Sequence, residues 1–152
     1  MDPLRAVVLT LVLAALAVAG NYFNLSLFFG LQLIFGSVAV LLAIAWLGTP
    51  AGLVVAAVSG AYTYLIWDHP YALVIMLAEA AFVGWHRDRA RRSGRALPAL
   101  GFSVALFWLL IGIPLVLLLY RLAMGMIWQQ TLLVAIKQAL NGILNAALAG
   151  LV

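Results

Sequence analysis

Long apolar runs separated by short polar or proline-bearing breaks organise this chain. Segments at roughly 3–20, 28–48, 50–67, 69–86, 97–120 and 129–150 consist mostly of Leu, Ala, Val, Ile and Phe. A membrane-crossing helix needs about 20 apolar residues, with about 17 as a lower bound, and each segment meets or approaches that length. None shows the apolar-polar alternation of barrel strands, so helices are favoured over a β-barrel. The pattern predicts an all-α integral membrane protein: one compact six-transmembrane-helix bundle over residues 1–152. Gly48-Thr49-Pro50 separates the second and third spans. Asp68-His69-Pro70 starts the fourth, with Asp68 or His69 near its N-cap, and makes a tight hairpin with the third. Pro114 falls inside the fifth span and is expected to kink it. Small residues recur at four-residue spacing: Ala15 and Ala19, then Gly52, Ala56 and Gly60, then Gly142, Ala146 and Gly150. Such seams pack helices closely in lipid, within one bundle or across a homodimer.

Composition sharpens the membrane assignment. The chain is 68% hydrophobic and 8% charged, whereas a soluble domain carries roughly 25% charged residues. Five of the eight basic residues lie between His86 and Arg95. Basic loops resist translocation, so this cluster is expected in the cytoplasm. Both termini and Gly48-Thr49-Pro50 then lie inside, with 20–28, 67–69 and 121–129 outside. Tyr22, Tyr64, Trp67, Tyr71, Tyr120 and Trp128 gather near the outer interface, while Trp46 and Trp85 mark the inner one. The net charge of +4 is concentrated in one loop and reads as topology and contact with lipid headgroups; no nucleic-acid partner is implied. There is no cysteine, hence no disulfide or thiolate chemistry. Ala17-Val18-Ala19 before Gly20 has the form of a signal-peptide cleavage site, and the segment is read as a retained first helix.

Against this apolar background, polar side chains are the candidates for function. Glu79 and Lys137 both fall about 14 Å into their helices, near mid-bilayer. Charges there are costly and are expected to find partners, so the two are predicted to approach each other, directly or through water or a ligand. The last span places Lys137, Asn141 and Asn145 on one face, with Gln138 beside them. That face lines an interior cavity or bonds across a helix interface. Asn21, Asn24, Gln32, Tyr62, Asp68, His69 and Tyr71 collect at the outer end. Aromatic area with a few polar groups suits a small-molecule ligand, the competing explanation being an interfacial aromatic belt with helix caps. Haem is a minor alternative at His69. The two histidines, His69 and His86, are about 25 Å apart on one helix and share no metal. No catalytic triad, carboxylate pair or phosphate loop is present, and no enzymatic role is expected.

The runs Gly36 to Ala43, Leu47-Gly48-Thr49-Pro50-Ala51-Gly52-Leu53, Ser59-Gly60, Tyr62, His69-Pro70-Tyr71 and Glu79 to Gly84 carry a resemblance. They resemble the membrane-embedded sensory regions at the N-terminus of bacterial histidine kinases and diguanylate cyclases, including the Lyt-type five-transmembrane module. More distantly, the chain is similar to the substrate-capture S components of energy-coupling-factor transporters. The resemblance implies a multi-pass protein of the bacterial inner membrane that binds a small molecule from the periplasm. It further implies signalling through the last helix to a cytoplasmic output domain, which would follow Leu151-Val152. The alternative it carries is a vitamin or metabolite capture subunit.

Overall fold

A computed structural model describes residues 2–26 and 32–152. Among them are six helices, α1 (Pro3–Tyr22), α2 (Gly36–Leu47), α3 (Thr49–Trp67), α4 (Tyr71–Arg92), α5 (Leu100–Ala123) and α6 (Trp128–Ala149). Four of them, α1, α3, α5 and α6, are long and apolar enough to cross a membrane. The fourth span, α4, has the length but carries Glu79 and the arginine cluster. The architecture is an all-α membrane bundle.

The first departure from expectation concerns the predicted second span, 28–48. Its helix begins only at Gly36, residues 27–31 lie outside the described part, and Gln32–Leu33 forms strand β2, paired antiparallel with β1 (Leu25–Ser26). The twelve residues of α2 reach only about 18 Å, well short of the hydrocarbon thickness of about 30 Å. The paired strands form a hairpin whose second arm leads through Ile34 and Phe35 into the bundle. The second departure is at the basic cluster. Residues 87–92 continue α4 helically, because nothing breaks the helix before Ser93-Gly94 and Gly94 supplies the positive φ of 63° beyond its end. Arg89, Arg91 and Arg92 then lie in the last turn, where cations suit the helix dipole.

Inside a bilayer the backbone of a descending hairpin must find partners within the protein. Asn21, fully buried at the end of α1, provides them. Its amide nitrogen donates to the Ser59 carbonyl (3.1 Å) and to Ser59 Oγ (2.9 Å), while its Oδ1 accepts from the Gly36 backbone N–H (2.9 Å). One side chain thereby ties α1, α2 and α3 together. The Phe35 N–H donates to the Gly20 carbonyl at 3.0 Å. Gly36 has no alternative here, since a Cβ would run into Ser59, Asn21 and the Ala17 carbonyl.

The small-residue seams serve the bundle itself. Gly52 packs on Ile44, Gly60 on Leu73 and Gly142 on Trp108. On α1 the buried small residues are Ala14 and Ala17, one turn-face away from the expected pair: Ala15 is exposed and Ala19 half-buried. At the arginine end, Thr49 Oγ1 donates to Asp88 (2.6 Å) and Arg87 to the Pro98 carbonyl (2.8 Å), closing α3, α4 and the start of α5. At the opposite end Asp68 caps α3 in the left-handed region, φ 53°, instead of starting α4. Asp tolerates that conformation better than most residues, and it turns the chain straight into α4. Pro114 is accommodated between two wide π-helical turns, Trp108–Gly112 and Leu117–Ala123.

Asn21→Leu should strand buried hydrogen-bonding groups on Ser59 and Gly36, each costing about 1–3 kcal/mol. A clear drop in the detergent-solubilised melting temperature is expected, with Ala15→Leu on the exposed face of α1 unchanged.

Candidate functional site

The descending hairpin is anchored on the polar face of α6. The Ile34 N–H donates to Asn141 Oδ1 (3.0 Å) and the Asn141 amide donates back to the Ile34 carbonyl (2.9 Å). Asn145 donates to the same carbonyl at 2.9 Å. An asparagine side chain thus pairs with Ile34 as a neighbouring strand would, which satisfies a peptide deep in the bundle. This holds Gln32, two residues earlier, over a cleft of about 140 Å³. The cleft is lined by Gln32, Trp67, His69, Tyr120, Val134, Lys137 and Gln138.

Its wall is aromatic. Trp67 and His69 stack with ring centroids 6.3 Å apart, His69 and Tyr71 stack at 5.1 Å, and Tyr120 meets His69 edge-on at 5.3 Å. The Trp67 indole N–H donates to Gln32 Oε1 (3.3 Å), fixing the ring against the hairpin. Lys137, only 9% exposed, holds its ammonium 5.1 Å from the centre of the Trp67 ring. Burial holds the His69 imidazole below its ordinary pKa, and its buried Nδ1 has no hydrogen-bond partner among the described residues. Below the cleft lies a gap of about 20 Å³ lined by Ile34, Ser37, Glu79, Trp108, Asn141 and their neighbours, which is about the size of one water. Gln138 lines both spaces.

Of the residues singled out from the sequence, Gln32, His69, Lys137 and Gln138 meet in the cleft, and Glu79 and Asn141 line the gap beneath. Tyr71 backs His69. Asn21 and Asn24 stay with the chain leaving α1: Asn21 braces the bundle, and Asn24 donates to the Asn21 and Tyr22 carbonyls. Tyr62 is half-buried on α3 away from the cleft, and Asp68 is an exposed cap. The expected Glu79–Lys137 approach is not a direct pair. Glu79 accepts from the Trp108 indole N–H (3.1 Å) and Lys137 lies over Trp67, so each charge takes an indole as partner. Lys137 does face the interior, as its cost in lipid requires. Trp67 and Tyr120, read from the sequence as interfacial, are instead cleft residues. Amphipathic rings at a helix end suit either place, and only the fold distinguishes them.

The two histidines sit at opposite ends of the bundle, His69 among the aromatics and His86 with its Nδ1 3.0 Å from Ser103 Oγ. No group of three metal-ligating side chains gathers among the described residues.

This architecture is shared with a solved structure. The S component of a bacterial ECF transporter superposes with a TM-score of 0.68 at 18% identity, covering 99% of this chain and 91% of that one. No protein-family model and no curated protein sequence matches the chain. At that identity the likeness establishes the fold.

Asn141→Leu removes both bonds to the Ile34 peptide and leaves a buried N–H unpaired, at about 1–3 kcal/mol. Hydrogen exchange across 32–35 should accelerate strongly in this variant and less in Asn145→Leu, which leaves the Asn141 pair in place.

Proposed function

We propose that the chain is a membrane-embedded small-molecule capture subunit of the ECF-transporter type, taking its ligand into the cleft between Gln32, Trp67 and Lys137 from the periplasmic side. The observation that carries this reading is the S-component likeness over 99% of the chain, combined with a polar, aromatic cleft at the end opposite the arginine cluster. Ligand contacts are assigned to Gln32, His69, Lys137 and Gln138, with Trp67 and Tyr120 supplying ring area. Glu79 and Asn141 stand behind them as supports. In this reading the exposed face of α1, with Ala15 at its centre and Leu11 and Val8 beside it, meets the membrane partner of the transporter. Small side chains there allow close helix approach.

A second reading keeps the same cleft and changes the listener. Lys137, Gln138, Asn141 and Asn145 all belong to α6, so a bound ligand bears directly on the last helix. A sensory input module that biases a cytoplasmic output domain, in a homodimer, would use that coupling. The bacterial inner membrane is the location in both cases.

Native mass spectrometry of the gently solubilised protein should show a retained small molecule, lost in Trp67→Ala. Ala15→Leu should leave that retention intact and abolish co-purification with transporter subunits. Retention unaffected by Trp67→Ala would remove the cleft from consideration; retention with Ala15→Leu still fully assembled in a signalling complex would favour the sensor.

A further inference from the structure

Resting on the assignment of the cleft as the ligand site, we propose that its ligand is a monocarboxylic acid carried on a single planar ring, with the carboxylate at Lys137 and the ring against Trp67 and His69.

The charge inventory of the chain makes the case for an anion. It has four carboxylates: Asp2, Asp68, Glu79 and Asp88. Asp2 caps α1, Asp68 is the exposed end of α3, Asp88 holds Thr49 and Arg91, and Glu79 is bound to Trp108. None is left for Lys137. Its ammonium is buried with the face of Trp67 as its main compensation, and a cation–π contact offsets only part of the cost of desolvating an ammonium. The Gln138 amide, able to donate, lines the same cleft, and His69 Nδ1 is buried without a partner among the described residues. A second cation placed here would be repelled, whereas an anion completes the pair.

One cation also limits the anion to a single charge. A phosphate monoester brings about two negative charges at neutral pH, and no arginine lines the cleft to balance the second. A carboxylate matches the single ammonium and accepts from both Lys137 and a neighbouring donor. Size sets the remainder: about 140 Å³ is close to the roughly 150 Å³ that accommodates benzene. The rings of Trp67, His69 and Tyr120 line the cleft and give a planar ring aromatic surface to pack against.

The test uses the full chain in detergent, with benzoate and pyridine-3-carboxylate as probes against benzamide, pyridine-3-carboxamide and phenyl phosphate. Calorimetry and thermal shift should show the acids binding roughly ten- to a hundredfold tighter than their amides, the span expected for a charge-assisted hydrogen bond. Lys137→Met should abolish that preference and Lys137→Arg retain it in part. Should Lys137→Met not purify as a monodisperse species, Lys137→Gln serves for the same comparison. Equal binding of acid and amide, or preference for phenyl phosphate, overturns the proposal. If a metabolite library yields a Trp67-dependent ligand while all the ring acids fail, the ligand class is wrong and the capture function stands. If the library also fails, both fall.

Discussion

Backbone amides have no water to turn to inside a bilayer, and this single constraint shapes the first third of the chain. A hairpin that descends to the level of Asn141 would be intolerable unless each buried peptide met a partner. The protein meets the need with amide side chains used as substitute backbone: Asn21 on Gly36 and Ser59, Asn141 on both sides of Ile34, Asn145 on the Ile34 carbonyl. Because these asparagines come from α1 and α6, the hairpin is clamped from both ends of the sequence. Ile34, at the inner end of the hairpin, is thereby bonded to the last helix on both sides of its peptide.

The same economy governs charge. An acid and a base buried in one bundle would ordinarily be expected to neutralise each other, yet Glu79 and Lys137 each rest on a separate tryptophan. Gln138 stands where it lines both of their spaces. Separation leaves Lys137 without an internal counter-ion, which destabilises the empty protein relative to a paired arrangement and leaves the cation available to whatever enters. A direct ion pair would fill the cleft with its own solution.

Much of this was legible in the residues. Helix number and the polar face of α6 follow from hydrophobicity and spacing, since in lipid the apolar runs and the exceptions to them carry nearly all the information. Lys137 and Gln138 were identifiable because polar groups within a span are costly, and Gln32 and His69 because polar side chains gather with aromatics at the outer end. The strand at Gln32–Leu33 was not identifiable: the run before Gly36 is apolar enough for a helix, and what holds Ile34 and Gly36 is a set of side-chain bonds from Asn141 and Asn21, the former more than a hundred positions from Ile34. The indole partners of Glu79 and Lys137 were hidden for a related reason. An interfacial tryptophan and one turned inward have the same local sequence, and the distinction lies in tertiary packing.

The two wide turns of α5 have a geometric consequence for its side chains. In a regular α-helix Tyr120 would point about 120° away from Trp108, twelve positions earlier. Both are nonetheless buried, Trp108 on the Glu79 carboxylate and Tyr120 on the His69 ring. Underwinding at Trp108–Gly112 and Leu117–Ala123 works like a vernier, each residue there turning through less than the usual roughly 100°, which brings the outer aromatic residue round toward the interior. Pro114 stands in the regular turn between them, and one helix thereby furnishes an aromatic side chain to each of the two levels of the interior.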